Sequence, residues 1–465
     1  MNPRSLRAPD RPLRIAIVGA GPAGFYTAAA LLASDAAAAL TGGLHIDLLD
    51  RLPTPYGLVR YGVAPDHPKI KEVVRVFERV ALDPRVRFLG NVEVGANLPV
   101  TELRSAYEQV VFSIGGQSDR RLGVAGEDLA GSHSSTSFVA WYNSHPDFAD
   151  LPVDLSVTAA AVIGAGNVAV DVARILGRNP EDLAPTDISA GALECLRTSG
   201  IRDVHLLIRR GPVQAKWSPA ELKELAHLPD VDLVVDPREL DLDPECALEL
   251  AEDPQAQKGF ELLRAAADRG PTGAARRIHL RFRISPVAVT GDDGRVTGIR
   301  LERNRLVGPA GARTVEPTGE VELLPVGLVV RAVGYRSLPM AGLPFDERRA
   351  IVPNERGRVV DPATGAPLAG LYVAGWVKRG PTGLIGSNKA DGVETAAAMI
   401  EDWPEIASAP DSIDSLLAAR GLRPVDFAQW KILDRLESEN GATTGRPRVK
   451  FGRVEEMLAA LRRSE

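Results

Sequence analysis

The stretch Ile15-Ala-Ile-Val-Gly19-Ala-Gly21-Pro-Ala-Gly24 decides the fold of the first part of this chain. Its apolar residues predict a buried strand that ends at Val18, and three glycines follow at the spacing G-x-G-x-x-G. Gly19 permits a tight turn, Gly21 lets a pyrophosphate approach the backbone, and Gly24 lets the next helix pack closely on the strand. The helix N-terminus offers free N–H groups and partial positive charge to a phosphate. The stretch therefore predicts a strand–turn–helix unit that binds a dinucleotide.

An acidic residue closes the second strand of this unit. Asp50 follows His45-Ile-Asp-Leu-Leu49 and lies 26 residues beyond Gly24, somewhat further than the usual spacing of about 20. The alanine-rich stretch 33–43 accounts for the additional length. A carboxylate at this point hydrogen-bonds a ribose hydroxyl in such folds, so we expect Asp50 to bind the ribose. A purely structural strand–helix turn is the alternative.

A second glycine-rich turn lies about 145 residues later, at Ala160-Ala-Val-Ile-Gly164-Ala-Gly166-Asn167-Val-Ala-Val-Asp171. Its third position is Ala169, which the pattern tolerates. Arg209 and Arg210, rather than an acid, follow the next strand. Arginine binds a 2′-phosphate that an acid would repel, so NADP is favoured over NAD. The alternative is a solvated basic strand end. Two such turns in one chain indicate two nucleotides held for redox exchange.

The composition excludes several classes of function. The chain has 465 residues, 45% of them hydrophobic, and a net charge of −6, so no general attraction to nucleic acid is expected. Only two cysteines occur, Cys195 and Cys246. They disfavour a disulfide framework, a zinc site and the redox-active dithiol of a disulfide reductase, and we expect no metal site. No apolar run is long enough for a membrane span, and residues 1–12 lack the apolar region of a signal peptide, so we expect a cytoplasmic protein.

Two strand-then-glycine segments predict the domain organisation. The strand Gln109–Ile114 leads into Gly115-Gly116, and Leu328–Val333 leads into Gly334-Tyr335 in the same way. We interpret them as the chain leaving the first domain and returning to it, which makes the second domain an insertion. The predicted fold is therefore α/β, with two Rossmann-like, doubly wound dinucleotide-binding domains.

Two further segments stand out in this organisation. Residues 52–71 form a long loop rich in proline and glycine, of the kind that is usually functional. Residues 370–386 contain a third strand-to-helix turn rich in glycine, which could close over a cofactor placed by the first turn. Residues 401–465 look separate, with helices predicted near 413–419, 425–437 and 454–462.

Five segments of the chain carry a resemblance to a known family. They are Leu52-Pro-Thr-Pro-Tyr-Gly-Leu-Val-Arg60, Gly62-Val-Ala-Pro-Asp-His-Pro-Lys69, Gly164-Ala-Gly-Asn-Val-Ala-Val-Asp-Val-Ala-Arg174, Arg209-Arg-Gly-Pro212 and Gly375-Trp-Val-Lys-Arg-Gly-Pro-Thr-Gly383. Together they resemble the NADPH–ferredoxin reductases of the adrenodoxin-reductase type, including the actinobacterial ferredoxin/NADP reductases. The resemblance covers about residues 13–400.

The resemblance implies a glutathione-reductase-type arrangement of FAD and NADP(H) domains. The FAD-binding domain would comprise residues 13–117 and 333–400, the NADP-binding domain residues 118–332, and a helical extension residues 401–465. The implied FAD contacts are Gly19, Gly21, Ala23, Gly24, Asp50, Leu58, Val94, Trp376, Gly383, Leu384 and Ile385. The implied NADP contacts are Arg120, Ala165, Gly166, Asn167, Val168, Arg209, Arg210 and Glu221, with Gly383 near the nicotinamide. Asp50 is a mild departure, because relatives often carry glutamate there.

Two residues are candidates for a catalytic role by the same resemblance. In the family, a histidine of the loop that matches His67 and a glutamate that matches Glu224 lie near the flavin. Hydride transfer itself needs no protein acid, because the cofactors carry the chemistry. His67 and Glu224 could still manage the flavin N5 proton or orient the nicotinamide. The alternatives are a hydrogen-bonded histidine that braces the loop and a glutamate on a solvated helix face.

The implied reaction passes a hydride from NADPH to FAD and then single electrons to a ferredoxin-type iron–sulfur protein. Ferredoxins are typically acidic, so we expect a basic docking surface near the flavin on a monomeric protein. The candidates for that surface are Lys69, Lys71, Arg75, Arg79, Lys378 and Arg379. One alternative is an NADPH-dependent flavoprotein reductase of quinones or other small acceptors. Another is a non-catalytic binding protein that responds to nucleotides.

Overall fold

The computed structural model describes residues 11–403 and 411–464. The chain divides into two compact units. The first comprises Met1–Val63, His67–Ser118 and Tyr335–Glu465, and the second comprises Ala64–Asp66 and Asp119–Gly334. The second unit is therefore an insertion into the first, and three residues of the loop after the second strand also belong to it.

The first unit contains a seven-stranded sheet. Its strands are β1 (Leu13–Val18), β2 (Leu44–Leu49), β3 (Val86–Leu89), β4 (Gln109–Phe112), β16 (Asn354–Glu355), β17 (Arg358–Val360) and β18 (Pro367–Val373). The short strands β5 (Ser118–Asp119) and β15 (Tyr335–Arg336) lie where the chain passes from one unit to the other. The sheet order is β16-β17-β18-β4-β1-β2-β3, and β18, β4, β1, β2 and β3 run parallel. Strands β2 and β4 lie on opposite sides of β1, and this reversal of the strand order creates a crevice at the carboxyl ends of β1 and β4.

Helices cover both faces of this sheet. They are α1 (Pro22–Leu32), α2 (Asp35–Ala38), α3 (Leu58–Tyr61), α4 (Pro68–Lys71), α5 (Val74–Ala81), α6 (Val100–Ala106), α14 (Trp376–Arg379), α15 (Ser387–Glu401), α16 (Ile413–Ala419), α17 (Phe427–Ala442) and α18 (Val454–Ser464). The alternation of side chains along β1 feeds two apolar cores, with Ile15 and Ile17 in one and Ala16 and Val18 in the other. A strand buried on both faces has to be apolar throughout, as β1 is.

The C-terminal segment is part of the first unit, which corrects the expectation that residues 401–465 are separate. Its helices α16, α17 and α18 agree with the three predicted there. Trp430, Leu433 and Met457 are buried in the same core as Ile15 and Ile17. The apolar stripes of these amphipathic helices need a surface to cover, and the sheet of the first unit provides it.

The second unit contains a parallel sheet of six strands and an antiparallel sheet of three. Its strands are β6 (Ser132–Ser134), β7 (Ala159–Ile163), β8 (Asp203–Leu207), β9 (Val231–Val235), β10 (Arg276–Arg281), β11 (Ile284–Asp292), β12 (Arg295–Val307), β13 (Thr314–Leu324) and β14 (Leu328–Arg331). The sheet orders are β6-β14-β7-β8-β10-β9 and β11-β12-β13. Ala160 and Val162 of β7 face a core lined by helices, whereas Ala161 and Ile163 face a core shared with the antiparallel sheet.

The helices of the second unit follow the expected start signals. They are α7 (Ser135–Tyr142), α8 (Asn167–Gly177), α9 (Pro180–Leu183), α10 (Ala190–Arg197), α11 (Pro219–Ala226), α12 (Pro244–Glu252) and α13 (Pro254–Arg269). Ser218 followed by proline predicts a helix start from the sequence, and α11 begins there, with Pro219 in its first turn and the hydroxyl of Ser218 accepting the N–H of Glu221. Both units are thus doubly wound α/β folds, as the two glycine-rich turns predict.

The two valines of Val92–Val94 predict a short strand from the sequence, and that prediction is wrong. Gly95 adopts a φ of +95° and the N–H of Asn97 donates to the carbonyl of Glu93, so the chain turns back on itself there. Only a single bridge joins Val94 to Leu98. Among the described residues, no helix combines the length and the apolar character needed to cross a membrane.

Candidate functional site

The first glycine-rich turn has the geometry that its three glycines predict. Gly19 has a φ of +105°, and a Cβ there would lie 2.6 Å from the carbonyl oxygen of Ser113. A Cβ on Gly24 would lie 2.2 Å from the carbonyl oxygen of Gly19, so helix α1 packs directly on the turn. At Gly21 the nearest atom to an added Cβ is the Cα of Gly57, at 4.0 Å. The turn therefore leaves a cradle at Gly21 that a phosphate can enter, at the N-terminus of α1.

The carboxylate of Asp50 braces this turn. One of its oxygens accepts the N–H of Ala20 at 2.9 Å, and the other accepts the N–H of Leu52 at 3.0 Å. Burial raises the pKa of the Asp50 carboxyl above its ordinary value, although both N–H donors oppose that shift. Each carboxylate oxygen can accept a second donor. A ribose contact by Asp50 stays a prediction, and the bracing role is one that the motif alone did not indicate.

The loop after β2 packs on the same turn. The N–H of Tyr56 donates to the carbonyl of Ala20 at 2.7 Å, and a Cβ on Gly57 would lie 3.1 Å from the Cα of Gly21. The predicted contact Leu58 is the first residue of α3 and is partly buried, directly after this close approach. Val94, another of the predicted contacts, is buried in the core that contains Val18.

The return segment closes on the turn from the other side. A Cβ on Gly375 would lie 2.6 Å from the Cβ of Ala23, and the N–H of Gly375 donates to the carboxylate of Asp391. Trp376 packs against Tyr335, with ring centroids 5.0 Å apart. Its Nε1 is buried with no hydrogen-bond partner among the described residues. The first turn, the loop and the return segment thus converge within one unit.

The residues predicted to follow Trp376 lie at the surface. Leu384 is 67% exposed, which is unusual for a large apolar side chain, and Gly383 is exposed beside it. Ile385 is partly buried against the core of the first unit. An exposed apolar side chain next to a glycine with a φ of +81° is compatible with a surface that a planar ring system covers.

The second glycine-rich turn is more open than the first. A Cβ on Gly164 would lie 2.4 Å from the carbonyl oxygen of Ala332, whereas one on Gly166 would have no atom of the described residues within 4 Å. The N–H of Lys216 donates to the carbonyl of Ala165 at 2.7 Å, and Asn167 accepts the N–H of Ser218 at 2.9 Å. Helix α8 begins here, so its free N–H groups point into open space beside Gly166.

The two arginines lie where the sequence placed them, at the end of β8. Arg209 is exposed and Arg210 is partly buried. The backbone holds their position, because the carbonyl of Arg209 accepts the side chain of Asn304 and the carbonyl of Arg210 accepts the N–H of Arg283. Arg120 is also exposed, and its N–H donates to the carbonyl of Gly334 at 2.9 Å.

Arg174 is a buried residue of the second unit that was not among the predicted site residues, and it contacts several carboxylates. Arg174 of α8 is 1% exposed and donates to both carboxylate oxygens of Asp66, at 2.7 and 3.0 Å. Glu221 lies 3.2 Å from its Nη1, and Glu224 lies 3.9 Å away with its side chain 54% exposed. Burial would lower the pKa of Arg174, but the surrounding carboxylates raise it above the ordinary value. The two predicted residues Glu221 and Glu224 thus share one cationic partner.

The sequence contains one signal for this cluster, because Arg174 is the last residue of a segment that carries the family resemblance. Arg174 follows Asp171 by one helical turn on α8, a spacing that typically gives an ion pair. The partners Asp66 and Glu221 come from distant parts of the chain, so no local pattern joins them.

His67 is the residue before α4 and is 8% exposed. It belongs to the first unit, whereas Glu224 belongs to the second. A hydrogen-bonding role in the loop and a catalytic role are both compatible with a buried imidazole. The catalytic roles of His67 and Glu224 stay predictions.

Lys378 does not belong to a docking surface, which corrects that expectation. Its side chain is 6% exposed, and its Nζ lies 2.8 Å from Asp391 and 2.6 Å from Glu394. Thr395 also accepts from it, at 3.1 Å. A buried charge needs a partner. The ammonium of Lys378 therefore pairs with carboxylates of α15, and these contacts hold α14 against α15.

The chain is similar to known redox enzymes over nearly its whole length. The sequence model of the pyridine nucleotide-disulphide oxidoreductase family matches residues 13–225. NADPH-ferredoxin reductase FprA of Mycobacterium tuberculosis is 46% identical over 462 residues, which are 96% of this chain and 99% of that protein. The mitochondrial NADPH:adrenodoxin oxidoreductase of Arabidopsis thaliana is 41% identical over 471 residues, covering 97% and 96%. The solved structure of Mycobacterium tuberculosis FprA in complex with NADPH aligns with a TM-score of 0.91 over 97% of this chain and 100% of that one.

Proposed function

Because this chain belongs to the family of NADPH–ferredoxin reductases of the adrenodoxin-reductase type, we propose that it oxidises NADPH and reduces a ferredoxin-type iron–sulfur protein through bound FAD. The observation that carries this proposal is the pair of glycine-rich turns, one braced by the carboxylate of Asp50 and the other followed by Arg209 and Arg210. A carboxylate suits an unphosphorylated ribose, and arginines suit a 2′-phosphate.

Residues 13–117 and 333–400, nearly all of which lie in the first unit, form the proposed FAD domain. The open cradle at Gly21 and the free N–H groups of α1 would receive the pyrophosphate, and Asp50 would receive a ribose hydroxyl. The buried Nε1 of Trp376 has a proton to donate to a polar group of the ligand. Bound FAD supplies the conversion between a two-electron donor and a one-electron acceptor.

The second unit, with residues 118–332, is the proposed NADP(H) domain. The N-terminus of α8, at Gly166 and Asn167, would receive the pyrophosphate. Arg209 and Arg210 would bind the 2′-phosphate, and the exposed Arg120 would add a further cation. Ala165 and Val168 line the same turn, and Glu221 stands at the carboxylate cluster of Arg174.

His67 and Glu224 are the proposed catalytic residues. An imidazole ring can both donate and accept a proton, and His67 would exchange the proton at flavin N5. Glu224 would orient the carboxamide of the nicotinamide by accepting its N–H.

A basic surface on α4 and α5 is the proposed docking site for the iron–sulfur protein. Lys69, Arg75 and Arg79 are exposed there, and Lys71 is partly exposed. The apolar side chain Ile70 is 43% exposed among them. Complementary charge steers an acidic partner and raises the association rate. A cytoplasmic monomer is part of this proposal, because one chain contains both glycine-rich turns.

Anaerobic stopped-flow absorption of the FAD-loaded protein tests the electron path. We expect NADPH to bleach the flavin band much faster than NADH, and oxidised ferredoxin to restore it in a step that slows with added salt. Bleaching without reoxidation by ferredoxin would instead favour a reductase of quinones or other small acceptors. A protein that binds no FAD on reconstitution would contradict the proposal.

Charge reversal tests the docking surface. The double variant Lys69→Glu/Arg75→Glu should lower kcat/KM for ferredoxin about tenfold at low salt, with the difference shrinking at high salt. The matched control is Arg462→Glu/Arg463→Glu, which reverses two exposed charges at the end of α18. An equal effect of both pairs would show that net charge, rather than this surface, governs association.

A further inference from the structure

The C-terminal helix α17 carries a buried carboxylate that pairs with an arginine of the loop after β2. Glu437 is fully buried, and the side chain of Arg60 is 5% exposed. The guanidinium donates two hydrogen bonds to the carboxylate, one of them 2.9 Å long. The two residues are 377 positions apart in sequence. This fork-to-fork pairing fixes the orientation of Arg60 as well as its position.

Two further contacts from the C-terminal segment reach the same arginine, and a third holds its partner Glu437. The guanidinium lies 5.0 Å from the ring centroid of Trp430. Lys450, itself 8% exposed, donates from Nζ to the backbone carbonyl of Arg60 at 3.0 Å. Glu437 is held in turn by the N–H of Phe451 at 3.0 Å. The C-terminal segment therefore contacts both the side chain and the backbone of Arg60.

The loop that is held in this way contains a strained turn. Tyr56 has a φ of +83° and Gly57 a φ of +48°. A non-glycine residue in this region is strained and persists only where its surroundings enforce the conformation. The ring of Tyr56 packs edge-on against Trp430, with centroids 5.9 Å apart. Arg60 lies only four positions after Tyr56, so the same segment restrains both.

The strained turn is the part of the loop that approaches the first glycine-rich turn. Tyr56 donates its N–H to Ala20 at 2.7 Å, and Gly57 is the nearest neighbour of the open cradle at Gly21. A shift of Gly57 would therefore change the width of this cradle directly. The predicted FAD contact Leu58 is the next residue.

A buried ion pair is a poor source of stability, because desolvation offsets most of the attraction. Removing one partner is nevertheless strongly destabilising, since the other charge stays buried. Such a pair is best suited to fixing one geometry among several of similar energy. At this place in the fold, the geometry that it fixes is that of the loop from Tyr56 to Tyr61.

We propose that Trp430, Glu437 and Lys450 of the C-terminal segment are positioning residues for FAD. They act through Arg60, by holding the strained turn at Tyr56 and Gly57 against the glycine-rich turn, and they slow the release of the cofactor. The inference rests on the proposed function, because it takes FAD as the ligand of the first unit. It assigns a role to a segment that lies outside both nucleotide-binding motifs.

The rate of FAD release from the full-length holoenzyme tests this inference. Release is followed by the fluorescence of free FAD after dilution, for the double variant Arg60→Met/Glu437→Leu and for Lys450→Met. Replacing both charges leaves no unpaired buried ion, so the double variant is expected to fold. The matched control is Lys431→Met. Lys431 lies on α17, as Glu437 does, and its partly exposed side chain forms an ion pair with Glu78 of α5. The melting temperature of each apoprotein and the KM for NADPH are measured alongside.

We expect the double variant to release FAD at least tenfold faster than the wild type, and Lys450→Met about threefold faster. The control should release it within twofold of the wild type, and the KM for NADPH should stay within twofold in all variants. Lys450→Arg retains a donor and should restore the slow release. If the double variant does not fold, the comparison of Lys450→Met with Lys450→Arg decides.

Unchanged FAD release in the folded variants would overturn the inference. So would faster release that the control shares, or that follows the melting temperature of the apoprotein, because either result indicates general destabilisation. A wild-type protein that binds no FAD would overturn the proposed function and this inference together. A wild-type protein that retains FAD beside equally retentive variants would overturn the inference alone.

Discussion

The two glycine-rich turns share one pattern but differ in what surrounds them. In the first unit, Gly57 and Gly375 bring two further segments against the turn, with an added Cβ 3.1 Å from Gly21 and 2.6 Å from Ala23. In the second unit, an added Cβ on Gly166 meets no atom of the described residues within 4 Å. An enclosed turn suits a cofactor that stays bound, and an open turn suits one that exchanges at every turnover. At the equivalent second glycine the turns differ less, since an added Cβ on Gly21 would lie 4.0 Å from the Cα of Gly57. We therefore expect the first turn to hold its cofactor longer than the second, through the segments that Gly57 and Gly375 bring against it.

The turns also differ in how tightly the helix meets the strand. Gly24 occupies the third position in the first turn, and Ala169 occupies it in the second. An added Cβ on Gly24 would lie 2.2 Å from a backbone oxygen, whereas the second turn already accommodates a methyl group. The first helix can approach more closely because nothing separates it from the turn.

The largest expected effect comes from removing this difference. Gly24→Ala should lower the free energy of unfolding by about 3 kcal/mol, since a methyl group there overlaps backbone that cannot move aside, and the purified protein should lose FAD. Ala169→Gly, the reverse exchange in the second turn, should cost about 1 kcal/mol, the usual difference between the two residues in a helix. Urea unfolding and the ratio of flavin to protein absorbance measure both. Equal costs would contradict the packing difference between the turns.

A slightly smaller effect is expected from the arginines of the second unit. Arg209→Ala and Arg210→Ala should each raise the KM for NADPH about ten- to hundredfold, because each removes a charge-assisted contact that we propose with the 2′-phosphate. The KM for NADH should change by less than about twofold, since NADH lacks this group. Steady-state kinetics at fixed salt with both nucleotides separates the cases. A parallel rise for NADH would place the arginines elsewhere in the site.

The second strand of each unit carries a carboxylate that affects acid stability. Burial would raise the pKa of Asp47, but hydrogen bonds from His45, Arg87 and Tyr107 lower it to about 2. A lowered pKa stabilises the folded state above the unfolded pKa of about 4, and this contribution of about 2 kcal/mol is lost as the pH falls from 4 to 2. Asp47→Asn should therefore be less stable than the wild type at pH 7, and the difference should shrink below pH 4. Urea midpoints between pH 2 and 7 test this.

The smallest effect is expected from the counterpart in the second unit. A hydrogen bond from Arg277 lowers the pKa of Asp203 to about 2, with His279 contributing and burial opposing. The side chain of Asp203 is 24% exposed, against 1% for Asp47, so solvent screens the interaction more strongly. Asp203→Asn should show the same direction of pH dependence with a smaller amplitude. An amplitude larger than that of Asp47→Asn would contradict the expectation that the more exposed carboxylate contributes less to acid stability.

The parts of the fold that follow from local patterns were predictable. The turns at Gly19 and Gly164 and the start of α11 at Ser218 each rest on residues within a few positions of one another. Local sterics and hydrogen bonds fix such features. The predicted strand at Val92–Val94 failed because a turn at Gly95 overrides the β propensity of the valines.

The site was predictable only in part, for a related reason. A lysine is chemically suited to bind an acidic partner protein, but Lys378 is buried against Asp391 and Glu394. Arg174 lies in a recognised segment, yet its partner Asp66 comes from the loop after β2, 108 residues earlier. Whether a charge faces solvent or a partner depends on which helices meet, and the periodicity of one helix does not contain that information.

The sequence by itself determined the two glycine-rich turns, their order along the chain and the arginines from which we expect the second to favour a phosphorylated ribose. These properties follow from backbone freedom at glycine and from the charge of the residue that ends a strand. Only the tertiary structure decided that the first turn is enclosed and that Glu437 reaches Arg60 across 377 residues. Those contacts arise when distant helices bury their apolar faces on one sheet, so the polar groups that they carry find partners that no local pattern specifies.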